Sequence, residues 1–408
     1  MKTPRQLPVF TVSKKSENKL RAGHPWVYDN EIESAPDVCE NGSVVDVLSQ
    51  KGTYLGSGLV SEKSKIRIRL LTTNANDRFD ESFWQRAVRY AIDYRLAVMG
   101  DDFSCCRLVF GEADRLPGLT VDKYGDILSV QVLSVGIERV KDIIYKALVT
   151  ELAAKGVTVR GIMERNDVAI RELEGLTQYK GWYEADFLPT PPSPVTEIVE
   201  NGIIYEVDVL NGQKTGFFLD QKYNRLAAAK IAKGRRVLDC FTHTGSFALN
   251  AAKGGAAHVT AVDVSQLAVD TARANAERNG LHGTMDFVCE DVFELLPKLK
   301  EQGAKYDYII LDPPAFTKSR KTIGSAERGY KEINLRAMKL LPRGGFLATC
   351  SCSHFMDSER FLKMVKSAAD DAGVSLRLIE ARRQSPDHPI LMGVEETDYL
   401  KFYLFQVV

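Results

Sequence analysis

Apolar and polar residues follow two periods along this chain, and the change from one to the other divides it. From about residue 236 onward, short runs rich in Val, Ile and Leu alternate with longer segments in which apolar residues recur every three or four positions. The runs predict strands at 236–240, 258–263, 285–289, 306–311, 344–350, 375–380 and 399–407. The longer segments predict helices near 246–253, 265–279, 292–300, 325–341 and 357–372. Such alternation builds a parallel sheet with helices on both faces, because parallel neighbours need a crossover. The last two strands have only a loop, 384–398, between them and should pair antiparallel.

The earlier part of the chain is patterned differently. Residues 1–72 read as all-β: Val44–Leu48 and Lys65–Leu71 alternate, and Gly42, Gly52, Gly56 and Gly58 punctuate them. Residues 73–190 mix the two periods. A helix is expected from Phe79 to Met99, closed by Gly100, and another over about 137–154. Strand-like stretches at 107–122, 127–133 and 161–163 surround the second helix. Glu112 and Asp114 fall in a turn and read as solvated. Prolines 189, 191, 192 and 194 exclude a helix or a central strand and mark a linker. Asn201-Gly202, between two alternating runs, is a type I′ hairpin signal. The expected domains are therefore 1–72, a small β-barrel; 73–190, a small α+β spacer; and 191–408, a doubly wound α/β domain.

Composition narrows the class. Lys+Arg and Asp+Glu are both 54, so bulk charge decides nothing about nucleic acid and only local patches can. Residues 1–72 carry 11 basic and 8 acidic residues, a net of +3. No run of 18 apolar residues predicts a membrane span, and the start Met-Lys-Thr-Pro-Arg-Gln has no apolar core of a signal peptide. Seven irregularly placed cysteines fit neither a disulfide framework nor a zinc site, so no metal is expected and a reduced, cytoplasmic enzyme is. A homodimer is compatible with the sequence but not required by it.

The chemistry gathers at strand ends. Val237-Leu-Asp-Cys-Phe-Thr-His-Thr-Gly-Ser-Phe247 reads as a buried strand, a small-residue turn and a helix start. Ligands of doubly wound sheets bind there, at the carboxyl edge, where Gly245 permits close approach and the helix presents free N–H groups. The next strand ends in Asp263, 18 residues after Gly245, where an acid reaches ribose hydroxyls. A dinucleotide site wants G-x-G-x-x-G for its pyrophosphate, and this turn has one glycine. The pattern D-x-F-x-x-x-G-S-F instead resembles motif I of the class I methyltransferases, which bind S-adenosylmethionine. That resemblance implies cofactor contacts from Asp239, Thr242, Gly245 and Ser246. Asp263 suits the ribose and Asp291 the adenine amino group. In Gly212-Gln-Lys-Thr-Gly-Phe-Phe-Leu-Asp-Gln221, Lys214 could reach a carboxylate and Phe217 could form a wall, or the aromatics could pack in the core.

A third acid, Asp312, opens Asp312-Pro-Pro-Ala-Phe316, which resembles the [DN]-P-P-[FYW] corner of amino-group methyltransferases. The next strand, ending Thr349-Cys-Ser-Cys-Ser-His354, separates two readings. Cytosine C5 is a poor nucleophile until a thiolate adds to C6, so C5 chemistry needs a cysteine and exocyclic-nitrogen chemistry does not. Cys352 lies nearer the carboxyl edge and is the expected nucleophile; Cys350 is expected in the core, and Asp312 beside the base. These motifs together resemble the bacterial large-subunit ribosomal RNA cytosine-5 methyltransferases of the RlmI type. The resemblance implies a PUA domain, an α/β insert, a class I catalytic domain, an RNA substrate and a 5-methylcytosine product. Gly23-His-Pro-Trp-Val-Tyr28, Tyr54-Leu-Gly-Ser-Gly58 and the basic strand after Lys65 resemble a PUA domain, a small RNA-binding barrel. Between Asp312 and Arg343 eight basic and three acidic residues leave a net of +5, with Lys318, Arg320 and Lys321 placed for phosphate contact. The alternative is an amino-group methyltransferase of the same fold.

Overall fold

The structure, a computed structural model, describes residues 6–189, 193–317 and 320–408, the Arg320 side chain excepted. Pro191, Pro192 and Lys318 lie outside the described residues. The chain divides into two compact units. One comprises Met1–Ile198, Glu206–Leu219 and Pro386–Thr397; the other comprises Val199–Tyr205, Asp220–Ser385 and Asp398–Val408. Residues 1–72 and 73–190 thus share a unit, and three pieces of the expected third domain, 191–198, 206–219 and 386–397, join them.

The first unit holds two sheets. Six strands pair in the order Trp26–Tyr28, Ile66–Thr72, Tyr54–Val60, Val44–Ser49, Val9–Val12 and Ile32–Ser34. Phe10, Val12, Val27, Val45, Val47 and Ile68 bury one apolar set, as period-2 alternation requires. The all-β expectation for this stretch is corrected by a helix, Lys14–Arg21. Ser13 caps it by accepting from the Ser16 amide, and of its eight residues only Ser16 and Leu20 are buried. A helix that is polar nearly all round leaves no hydrophobic stripe to read.

Five strands form the second sheet, in the order Tyr179–Trp182, Gly161–Asn166, Ile127–Val132, Leu119–Tyr124 and Cys105–Phe110. The Glu112/Asp114 turn is not solvated. Asp114 is bidentate to the fully buried Arg95 guanidinium, and Glu112 accepts the Trp26 indole N–H at 3.0 Å. A buried cation demands such a partner, and that demand acts across 19 residues of sequence. Asn201 and Gly202 have φ of 54° and 71°, the pair of positive values that a type I′ turn requires.

The second unit is a seven-stranded sheet. Its strands are β1 (Arg236–Cys240), β2 (His258–Asp263), β3 (Met285–Cys289), β4 (Tyr308–Leu311), β5 (Phe346–Ser351), β6 (Leu376–Arg382) and β7 (Lys401–Val407), ordered β3-β2-β1-β4-β5-β7-β6. The first five are parallel; β7 runs antiparallel to both β5 and β6. The helices are α1 (Lys222–Ala229), α2 (Ser246–Lys253), α3 (Gln266–Arg278), α4 (Val292–Glu301), α5 (Ile323–Leu340) and α6 (Ser358–Ala372). Leu238, Ile309, Leu311 and Leu347 from the strands pack with Tyr330, Ile333, Ala337 and Phe361 from α5 and α6. Strands β1 and β4 are apolar on both faces because helices cover both. The apolar pattern does not predict helix α1.

Candidate active site

The turn after β1 is held in an unfavourable conformation. Phe241, His243 and Gly245 have φ of 66°, 51° and 81°. Two of these residues carry a Cβ, and the left-handed region costs each of them about 1–2 kcal/mol. Gly245 has no alternative: a Cβ there would lie 2.6 Å from Leu249 Cδ1 and 3.0 Å from Ala272 Cβ, where α2 and α3 approach.

Two carboxylates hold this turn. Asp239 Oδ2 accepts from Thr242 Oγ1 at 2.6 Å and from the Ala248 amide at 2.9 Å. Asp263, at the tip of β2, accepts the His243 amide at 2.9 Å on Oδ2 and the Ser265 amide at 3.0 Å on Oδ1. An ionised carboxylate has about four lone-pair directions, so both acids retain acceptor capacity. Asp239 Oδ1 is buried with no hydrogen-bond partner among the described residues. Burial pushes the Asp239 carboxyl up to about 7; the Thr242 hydroxyl opposes this, and the negative Asp312 adds to it. An orphaned carboxylate oxygen beside a glycine turn fits a small cationic group of a ligand, as the amino group and sulfonium of S-adenosylmethionine would supply.

The remaining expected cofactor residues are placed as follows. Ser246 begins α2. Asp291 is exposed and caps α4, its Oδ1 accepting from the Phe293 amide at 2.7 Å. Lys214 is exposed with φ of 57°. Phe217 is buried, and its backbone N–H and C=O both bond the Tyr124 hydroxyl at 3.0 Å, inside the first unit.

The neighbouring strands β4 and β5 bring Asp312 and the Ser351-Cys352-Ser353 stretch to the same edge of the sheet. Gln221 donates to Asp312 Oδ1 at 2.9 Å, and the Asn224 amide holds Gln221 at 2.7 Å. Burial, and after it the Asp220 charge, push the Asp312 carboxyl up to about 7 against the opposing Arg225 charge. The thiol that bonds Asp312 is Cys350, which is fully buried; burial and then the Asp312 charge raise it well above an ordinary thiol. Cys350 is thereby disfavoured as a thiolate. Cys352 is half-buried, one residue beyond β5. Strand alternation turns its two serine neighbours the other way. Both reach the buried Tyr330 hydroxyl, Ser351 Oγ at 3.1 Å and Ser353 Oγ at 3.0 Å. Lys401, 1% exposed at the start of β7 and in register with Ser351, donates to the carbonyls of Ser353 and Tyr399, each at 2.7 Å.

Gln221 closes the Gly212–Gln221 run, one of the motifs that resemble the family, but with no role assigned to it; Tyr330 and Lys401 carry no motif that sequence reasoning could use. Of these two, only Lys401 leaves a trace, as a charge opening the apolar run Phe402–Phe405. Lys321 is exposed.

The β3-β2-β1-β4-β5-β7-β6 sheet, the glycine turn after β1 and the acid at the tip of β2 define a class I S-adenosylmethionine-dependent methyltransferase. Residues 168–406 match a family model described as S-adenosylmethionine-dependent methyltransferase, and residues 10–73 match a PUA-like domain. A ribosomal RNA large subunit methyltransferase I from Aeromonas hydrophila is 42% identical over 395 residues, 96% of this chain and 97% of its own. The protein of that name from Aliivibrio fischeri strain MJ11 is 40% identical over 399 residues, 97% and 98% of the two chains. This chain belongs to the ribosomal RNA large subunit methyltransferase I family. Among solved structures, a Streptococcus mutans protein described as an S-adenosylmethionine-dependent methyltransferase superposes with a TM-score of 0.81 at 22% identity, covering 98% of this chain and all of its own. A structure described as a methyltransferase complexed with SAH gives 0.82, also at 22% identity and with the same coverage. At that identity the two show a common fold.

Proposed function

We propose that this enzyme methylates C5 of a cytosine in large-subunit ribosomal RNA, in the cytoplasm, through a covalent adduct with Cys352. The observation that carries this reading is the presentation of Cys352: a half-buried thiol beyond the strand end, with both neighbouring residues fixed from behind by Tyr330. The names of the 40–42% identical relatives support ribosomal RNA as substrate.

In this reading the Cys352 thiolate forms a bond to C6, and the C5–C6 π pair becomes nucleophilic at C5. Bound S-adenosylmethionine supplies a methyl group activated on a positive sulfur. After transfer, the C5 proton passes to solvent, and the C–H pair it leaves re-forms the C5–C6 double bond and expels the Cys352 thiolate from C6. Asp312, held at about 7, can accept from the cytosine amino group when ionised or donate to N3 when protonated. It therefore matches the change in ring charge as the adduct forms. RNA containing 5-fluorocytosine tests the reading: no proton can leave C5, so the wild type should accumulate a covalent complex. Product analysis showing N4-methylcytosine and no adduct would favour the amino-group alternative.

Asp239 sets a pH dependence on cofactor binding. Its carboxyl lies at about 7, and a cationic ligand favours the ionised form. Affinity should therefore rise as pH goes from 6 to 8, by about tenfold, and then level off. Calorimetry across that range checks it, and a flat profile removes Asp239 from the binding site.

RNA contact is proposed for the basic stretch at the start of α5, where Lys321 and Arg328 are exposed. Reversing both charges should weaken RNA binding and lower the slope of log affinity against log salt by about 1 for each phosphate no longer neutralised. Filter binding at several salt concentrations reads that slope. The PUA-like sheet is a weaker source of phosphate contacts than its composition suggests. Arg67 is paired with Asp29, and Arg69 with Glu174.

A further inference from the structure

We infer that Lys401 is a positioning residue for Cys352, fixing the turn that carries the sulfur and raising its thiolate fraction through a buried ammonium charge. The inference rests on the reading of Cys352 as the nucleophile.

Lys401 is an expensive residue to keep where it is. A lysine at 1% exposure has lost its water, and an ion in that state is retained only when bonded and compensated. Two of its three N–H groups go to main-chain carbonyls at 2.7 Å, of Ser353 and Tyr399. Those carbonyls lie on either side of the gap between β5 and β7, so the ammonium closes the carboxyl end of that pair. Ser353 directly follows Cys352. The sulfur's neighbour is thus anchored by its carbonyl to Lys401 and by its hydroxyl to Tyr330. A packing role alone would be met by an apolar side chain, as at Phe402 to Phe405 along the same strand.

Several described groups act on the Lys401 charge. Facing Lys401 are Cys352, Asp398 and Asp357, which favour the ammonium, and Arg383, which opposes it. Asp398 and Arg383 are themselves paired at 3.1 Å, so they largely cancel. Asp357 is engaged as the cap of α6. Tyr330 and Cys350 also adjoin Cys352, and burial keeps both in their neutral forms. Of these charges Cys352 acts on Lys401 most strongly, so its thiolate is the anion that the ammonium meets first. Burial draws the ammonium down to about 8, which makes it responsive to that anion. When Cys352 ionises, its Sγ proton goes to solvent, Lys401 stays protonated, and a buried cation acquires its counter-charge.

The test is the pH dependence of Cys352 alkylation by iodoacetamide in the full chain, followed at that residue by mass spectrometry. The wild-type midpoint should lie below ~8.5, the ordinary thiol value. Lys401→Gln keeps two N–H donors for the two carbonyls but no charge, and should move the midpoint up by about one pH unit. Lys401→Arg should restore most of the shift. A wild-type midpoint at or above ~8.5 overturns the inference whatever the variants do. So does a Lys401→Gln midpoint equal to that of the wild type. Failure of the cytosine reading is separable: a lowered, Lys401-dependent midpoint with no adduct on 5-fluorocytosine RNA would retire the substrate and leave the charge coupling standing.

Discussion

Cys352→Ala should abolish methyl transfer while leaving cofactor and RNA binding near wild type. Neutral cytosine C5 does not displace a methyl group from sulfur unaided, so removing the thiol removes the step that makes C5 reactive. Binding should survive because the bonds that hold the turn come from the residues on either side of the sulfur. The two serines bond Tyr330 through their hydroxyls, and Lys401 bonds a main-chain carbonyl. Cys350→Ala should behave differently, costing on the order of 1 kcal/mol in packing with turnover largely kept. The comparison is sharp because the two sulfurs are two residues apart, one near the end of β5 and one just beyond it. A 5-fluorocytosine RNA should trap the wild type and Cys350→Ala but not Cys352→Ala. Near-normal turnover by Cys352→Ala would hand the case to amino-group chemistry.

Asp263→Ala should lower S-adenosylmethionine affinity by roughly 1–3 kcal/mol, about 5- to 150-fold, with a smaller loss of thermal stability. Two effects combine. The ribose hydroxyls lose their acceptor, and the His243 amide loses the bond that helps keep a positive φ in the turn. Asparagine should rescue poorly. It offers one acceptor oxygen where Asp263 uses both, on the His243 and Ser265 amides, before any ligand arrives. Titration calorimetry on the three proteins gives the values; an Asp263→Ala affinity within twofold of wild type would reject the assignment.

What can be read from the chain is whatever repeats along it. Val259 to Val262 and Ile309 to Leu311 are largely apolar runs because both faces of their strands are covered, Val237 to Cys240 is one broken by Asp239, and the structure has strands at all three. The acids at 263 and 312 are legible because they interrupt such runs where each strand leaves the sheet. Helix α1 is not legible, since its pattern is inverted: it buries Lys222, Asn224 and Arg225 and leaves Leu226 41% exposed. Its buried Arg225 is paired with the buried Glu200, and hydropathy reads both as surface. Asp114 misleads for the same reason, its partner Arg95 lying in a helix. Tyr330 and Lys401 serve Cys352 only through packing and strand register, which no local pattern encodes.

The insertion of β7 between β5 and β6 has a consequence for how the domain assembles. Strand β5 leads directly to Cys352, yet its outer neighbour is β7, which is made after β6. Until residues 401–407 dock, β5 and β6 each present an unpaired edge, and the apolar Phe402–Phe405 face has no home. Open edges beside an unburied apolar segment invite strand addition from other copies. A folding intermediate without β7 should therefore be the species that aggregates, and variants that slow its docking should lose yield before they lose activity.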